Sequence, residues 1–529
     1  MIPEFLPQTQ DHGVEVMTTR REFLRQAGLM TAAVAASPAV ALAAQDEAAS
    51  PAVDPPGSKP RRIIFLVSDG MSQGVPTLAH QLSLQVRGKG THFHHLLSQP
   101  TTSKGMFECH SLESLVTDSA AASTAWGAGV RILNRGVNTL ADGTRLTPIL
   151  NLLKAQGYGT GLVTTARVTH ATPAGFASAV DHRDKEEDIA PQYLNVVDVI
   201  LGGGQEIFDP TLNKAKTDLA APYAEKGYTV VKDREALRKA PPKGPILGIF
   251  SKGHLPYTVD QNFSEDLQKS IPTLAEMTEH ALAVLQGNEK GFLLQVEGAR
   301  VDHAAHGNDI AGVLWDQIAF DDAIGVALEF QKKNPDTLIV VTSDHGNSNP
   351  GLNGSGPDYS ESNPSFARVA QAKASFTEIE DRLKKAGSAK DKPVSPEVCL
   401  DILRGALGLE FTLEEAGQIA RAAAGEKFVE ANRQHSRMTG LLGQLAGNYN
   451  GIGWTGSQHT EDHTIIVAQG PGQEAFGRLL PNTECFSIFT EYFGIKHRNP
   501  TMGLEEALKL KKTRQAAMLG KGLDRHDWA

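Results

Sequence analysis

The chain has 529 residues, 40% of them hydrophobic, and 51 Lys and Arg against 61 Asp and Glu, for a formal net charge of −10. That length exceeds what one hydrophobic core usually serves, so one large domain with insertions, or two domains, is expected. The acidic balance lacks the basic footprint of a nucleic-acid binder, and no apolar run of about 20 residues follows residue 50, so no stable membrane insertion is expected of the processed chain.

At the N-terminus, T-R-R-E-F-L-R (19–25) precedes an uncharged, Ala-rich stretch from Gly28 to Ala44 that ends near A-L-A-A (41–44). A basic start, a short apolar region and small closing residues describe a signal peptide within the N-terminal region 1–44, and Arg20–Arg21 followed by Phe23–Leu24 resembles the twin-arginine export signal. Met17 is the expected start, because residues 1–16 fit no part of a signal. The twin-arginine machinery is then a partner, and the processed protein is expected in the periplasm or outside the cell. Residues 45–60, rich in Ala, Pro and acid, read as a disordered linker to a domain over 61–529. Cys109, Cys399 and Cys485 are an odd number, so at most one internal bridge can form, and three buried thiols fit equally well.

I-I-F-L-V-S-D-G (63–70) is a buried strand that runs into Asp69. L-V-T-D-S-A-A-A-S-T-A-W-G-A-G-V (115–130) opens a helix, with Asp118 or Ser119 as its cap. An exposed serine nucleophile needs the same arrangement. G-T-G-L-V-T-T (159–165) and V-D-V-I-L-G-G-G (197–204) are further strands. Leu274, Met277, Ala281, Val284 and Leu285 recur at helical spacing. G-F-L-L-Q-V-E-G (291–298) ends at Glu297, T-L-I-V-V-T-S-D-H-G (337–346) ends at Asp344 and His345, and H-T-I-I-V-A-Q-G (463–470) follows His459. Apolar runs alternating with helices predict an α/β fold: a mostly parallel central sheet covered by helices on both faces. Between the fifth and sixth strands, about 352–450, a largely helical insertion is expected, lying over or beside the site as a cap. Ligands bind beyond the carboxyl ends of such strands, where Asp69, Glu297 and Asp344–His345 all fall.

Q-V-E-G-A-R-V-D-H-A-A-H (295–306) places Asp302 and His306 four apart, on one helix face, the spacing of two ligands for one ion. His459 could complete a three-ligand zinc site with them, with His463 as its competitor. Asp69, Asp344 and His345 could hold a second zinc. Asp69, Thr172 and Glu297 offer oxygen alone, which suits magnesium.

D-G-M (69–71), T-D-S-A-A (117–121), H-A-T-P-A (170–174), D-H-R (181–183), V-E-G-A-R-V-D-H-A-A-H (296–306), T-S-D-H-G (342–346) and H-T-E-D (459–462) run in one order along the chain. In this the sequence resembles the alkaline phosphatases. The resemblance implies that Ser119 is a phosphorylated nucleophile and that Arg183, oriented by Asp118, clamps the phosphoryl oxygens. It implies two zinc ions, one on Asp302, His306 and His459 and one on Asp69, Asp344 and His345, and one magnesium ion on Asp69, Thr172 and Glu297. His170 and His303 stand beside these ligands, where the family varies. It further implies small phosphate monoesters as substrates and, as is frequent in the family, a homodimer. A diesterase of the same superfamily and a non-catalytic phosphate- or metal-binding protein are the alternatives. A sulfatase is disfavoured, because Ala121 and Ser123 stand where its motif has Pro and Arg.

Overall fold

The computed structural model describes residues 60–429 and 432–519; the signal region and nearly all of the linker lie outside the described residues. Alternation inside the apolar runs sets the layers. In β1 (Arg61–Ser68), Ile63, Phe65 and Val67 enter one core and Ile64 and Leu66 the other, all fully buried. The remaining strands of the main sheet are β2 (Ser103–Glu108), β3 (Gly159–Arg167), β4 (Val199–Gly203), β5 (Thr229–Val231), β6 (Ile246–Ile249), β7 (Gly291–Gly298), β8 (Thr337–Thr342), β9 (Thr464–Gln469) and β10 (Leu479–Pro481). Their spatial order is β10-β2-β9-β8-β1-β7-β3-β4-β6-β5, and β9 alone runs against the rest. The six strands expected from the sequence are all in this sheet. Four more join it, so the insertion follows the eighth strand and not the fifth.

One register brings the strand ends level. Val67 of β1 pairs with Glu297 of β7 and with Thr342 of β8, and Thr164 of β3 pairs with the same Glu297. Asp69, Glu297 and Asp344 therefore lie together along one edge of the central strands.

The helices that shape the site are α1 (Ser119–Ala128), α2 (Ala171–Ala177), α3 (Leu274–Leu285), α4 (Arg300–His306) and α5 (Ile310–Lys333). The alanines of α1 have a packing reason. A Cβ on Gly127 would stand 2.0 Å from the Gly175 carbonyl oxygen, and one on Gly175 would stand 2.2 Å from Ser123 Oγ. Only small residues let α1 and α2 cross so closely. That crossing carries His170 and Thr172 to the start of α1.

Within 352–450 lie α6 (Phe376–Lys385), α7 (Pro396–Leu407), α8 (Leu413–Ala423) and α9 (Met438–Asn450), around a separate apolar cluster that includes Phe376, Leu383, Cys399, Leu403 and Leu442. Two short antiparallel ladders close its base: Gly351–Leu352 against Ile452–Gly453, and Gly346–Asn347 against His459–Thr460. The excursion thus returns to its origin and sets His459 beside Asn347. Two core carboxylates hold the first turn of α6: Asp309 accepts from the Phe376 N–H at 2.7 Å, and Asp260 accepts from the Ser375 N–H at 2.7 Å. The insertion stands beside the segment after His306, where α9 packs its Gly443 on Asn308. All three cysteines are buried and free. Among the described residues, no helix is long and apolar enough to cross a membrane.

Candidate active site and metal-ligand sets

Asp118 caps α1: its Oδ1 accepts from the Ala121 N–H at 3.0 Å. Its Oδ2 accepts from Arg183 Nη1 at 3.2 Å, so one carboxylate serves as both cap and ion-pair partner. Arg183 also donates from Nη2 to His170 Nε2 at 2.9 Å, which fixes the plane of its fork. Ser119 is the first residue of α1 and only 2% exposed, with its Oγ 3.2 Å from His345 Nε2. Burial works against the Arg183 charge, and Asp118 more than offsets it, so the guanidinium is held above its ordinary value. The helix N-terminus and this fork form an anion-binding corner around the serine.

Three groups of donor atoms lie around that corner, each within 4.8 Å of one another: Asp302, His306 and His459; Asp69, Asp344 and His345; Asp69, His170 and Glu297. The first group has a particular proton arrangement. His306 Nδ1 lies 2.9 Å from the Ser457 carbonyl oxygen, and His459 Nδ1 lies 2.8 Å from that of Thr117. A carbonyl oxygen only accepts, so both Nδ1 atoms carry the proton. In the unprotonated rings that bind a metal, both Nε2 atoms then present lone pairs, 3.1 Å apart and 3.4 and 3.6 Å from Asp302 oxygens. Lone pairs facing lone pairs and a carboxylate fit a cation. In the other two groups Asp69 Oδ1, Asp344 Oδ2 and Glu297 Oε1 are buried and make no hydrogen bond, which fits cations again. Thr172 donates to Asp69 Oδ2 at 3.5 Å and so stands at the third group. A ring nitrogen of His170 also lies within this group; its Nε2 accepts from Arg183, so in the neutral ring Nδ1 carries the proton.

The charges explain the tuning of each ligand. Burial pushes Asp69 well above the usual carboxylate range, and Asp344 and Asp302 push it further. Burial likewise raises Glu297 to about 7. Against the same effect of burial, the charge of His306 and His459 in their protonated forms holds Asp302 below its ordinary value, and that of His345 does so for Asp344. Burial keeps His459 neutral by lowering it to about 3. His170 and His303 are lowered well below the usual imidazole value by burial, with Arg183 and Arg300 as the largest neighbouring charges.

All thirteen residues singled out in the sequence converge here, with His303 at the edge, its ring 5.6 Å from that of His170. His463 does not join them; its main-chain oxygen accepts from Gln73. Sequence reasoning missed Asn347, whose side-chain amide donates to Asp302 Oδ1 at 2.7 Å, and His254, whose ring lies 4.3 Å from that of His303. D-H-G-N offered a signal for the first; a lone histidine in S-K-G-H offered none for the second. Gly70 was missed as a spacer. It has φ +69°, and a Cβ there would stand 2.6 Å from Asp302 Oδ1 and 2.7 Å from Asp302 Cα. Its N–H donates to Asp344 Oδ1 at 3.1 Å. Gly70→Ala is expected to displace Asp302 and lower metal content and kcat/KM together, by about tenfold or more. Elemental analysis and kinetics on the same preparation check this; full metal content with unchanged rates would contradict it.

A sequence profile described as Alkaline phosphatase matches residues 60–494. The chain is 30% identical over 439 residues to alkaline phosphatase 4 of Bacillus subtilis, covering 81% of this chain and 87% of that one. It is similar to the crystal structure of Thermus thermophilus alkaline phosphatase, with a TM-score of 0.80, 34% identity and coverage of 87% of this chain and 96% of that one. The structure of a cold-active alkaline phosphatase from Shewanella sp. gives a TM-score of 0.67 at 27% identity, covering 82% and 99%.

Proposed function

The chain belongs to the alkaline phosphatase family and is a phosphoric monoester hydrolase; on that premise we propose that Ser119 carries the phosphoryl group in a covalent intermediate and that the three ligand groups take two zinc ions and one magnesium ion. The observation that carries the reading is the convergence of a helix-capped serine, an oriented guanidinium and three ligand groups on one corner.

Arg183 binds two non-bridging phosphoryl oxygens with its fork, and Asp118 and His170 hold that fork in plane. Ser119 Oγ forms a bond to phosphorus as the ester P–O bond breaks. The serine gives up its proton to solvent, and the departing alkoxide takes one from solvent. Attack by water on the phosphoserine then releases inorganic phosphate and restores the hydroxyl. Bound divalent ions supply the charge that lowers the pKa of the attacking hydroxyl and water and stabilises the leaving oxygen. Because Ser119 is 2% exposed, the phosphoryl group enters the corner and the rest of the ester stays outside, which supports a broad range of alcohols.

Export by the twin-arginine route to the periplasm or beyond belongs to the same proposal, supported by T-R-R-E-F-L-R at 19–25. The test of the reaction is a panel of aryl and alkyl phosphate monoesters, diesters and sulfate esters with purified, metal-loaded enzyme. Monoesters are expected to react at least about a hundredfold faster than diesters, because the corner is built for a dianion. Diesters reacting at equal or greater rates would move the assignment to the superfamily diesterases.

A further inference from the structure

Arg135 has φ +74°, a left-handed conformation rare for a residue with a side chain. It is the third residue of the Leu133–Gly136 turn, closed by the Gly136 N–H on the Leu133 carbonyl at 3.4 Å. Glycine or asparagine is the usual occupant of a position with that φ, and arginine there is strained. An observed strain of this kind calls for a compensating gain, and the contacts of Arg135 identify one. Its N–H donates to Asp118 Oδ2 at 3.0 Å, the same oxygen that holds Arg183. Its carbonyl accepts from the Arg183 N–H at 2.7 Å. Its guanidinium donates to His182 Nε2 at 3.0 Å and meets Asp184 Oδ2 at 3.3 Å, the two residues on either side of Arg183. The adjacent Asn134 completes the frame: its Oδ1 accepts from the Asp118 N–H at 3.1 Å, and its Nδ2 donates to the Val116 carbonyl at 3.1 Å.

We infer that Arg135 is a positioning residue for the phosphate clamp. The left-handed backbone aims its N–H at Asp118 and its carbonyl at Arg183, and its side chain pins the 182–184 segment so that the Arg183 fork keeps its angle. The main-chain part of this brace needs only the φ, which glycine adopts freely. The side-chain part needs a donor that reaches His182 and Asp184. The two parts separate by mutation. The inference rests on the assignment of Arg183 as the phosphoryl clamp.

The experiment uses mature, metal-loaded enzyme and four variants: Arg135→Gly, Arg135→Lys, Arg183→Ala and the double variant Arg135→Gly with Arg183→Ala. Inhibition by inorganic phosphate, KM and kcat for one monoester, and Tm are measured for each. Arg135→Gly keeps the backbone geometry and relieves its strain, so Tm is expected to hold or rise. The Ki for phosphate and KM should rise about five- to tenfold with kcat changed less than about threefold, the pattern of a loosened binding group. Arg135→Lys, which can still donate to Asp184, should recover part of that loss. In the double variant, removing Arg135 should add nothing to the effect of Arg183→Ala, because Arg135 works through Arg183. An unchanged Ki in Arg135→Gly, with a raised Ki in Arg183→Ala, would overturn the brace and leave the clamp standing. Additive losses in the double variant would overturn it in favour of direct contact between Arg135 and the anion. An unchanged Ki in Arg183→Ala would bring down both the clamp and the brace.

Discussion

Ser119→Ala is expected to abolish acid-stable labelling of the protein by a radioactive monoester and to lower kcat by about a thousandfold or more. The alanine keeps the helix start, because the capping bond belongs to Asp118 Oδ1 and the Ala121 N–H and not to the serine. It also leaves the three ligand groups intact, since the Ser119 hydroxyl touches only their edge, 3.2 Å from His345 Nε2. Metal content and Tm should therefore match the wild type. Residual turnover by direct attack of water is expected, because the anion-binding corner survives the substitution. Quenched-flow labelling at acid pH, followed by peptide mapping, decides the matter. Label that persists in the variant, or that maps to a peptide lacking residue 119, would refute the serine assignment.

Removal of divalent ions by a chelator is expected to abolish activity completely and lower Tm by about 10 °C, because ions that bind only the native state stabilise it by about 4 kcal/mol per site at a thousandfold over Kd. Zinc with magnesium should restore both. The affinity of the third group should depend on pH in a defined direction. Burial raises Glu297 to about 7, so near neutral pH part of the population holds a proton there that a metal must displace, and burial with Asp344 raises Asp69 in the same direction. Affinity should thus rise as pH increases through about 7, by at most about tenfold per pH unit for each proton released. The first group should show little of this between pH 6 and 8 on its carboxylate, because Asp302 lies below the ordinary carboxylate value. Calorimetric titration of the chelated protein with magnesium at three pH values tests the sign; affinity that falls as pH rises would contradict it.

The central strands could be read from the chain because they are buried on both faces, and I-I-F-L-V in β1 or T-L-I-V-V in β8 leaves no polar interruption. The four strands that were missed lie toward the edges of the sheet; three are partly solvated, and the fourth, Ile246–Ile249, is buried but only four residues long. Ser103–Glu108 reads S-K-G-M-F-E, and Thr229–Val231 has three residues, too few to show a period. The ligand groups were legible because metal chemistry restricts residue type, and Asp302 with His306 shows its spacing on a single helix. The supports were not. Asn347 reaches Asp302 only because the Gly346–Asn347 and His459–Thr460 ladder closes the base of the insertion. The main-chain half of the Arg135 brace, its N–H on Asp118 and its carbonyl on the Arg183 N–H, leaves no residue type to recognise.

The position of β1 at the middle of the sheet has a consequence for biosynthesis. Its partners are β7 and β8: Arg61 waits for Gly291, and Arg62 for Thr337. At ribosomal rates of about 5–20 residues per second, a strand with five consecutive buried apolar residues spends tens of seconds without either neighbour. Such long-range pairing is the slow step of folding in parallel sheets. Asp69, at the end of β1, is likewise synthesised long before Glu297 and Asp344, and the Asp302–His306 pair lacks its third member until His459 has emerged. No ligand group can therefore close before Glu297 has been made, and an ion captured by Asp302, His306 and His459 reports that the chain has been made and registered through residue 459.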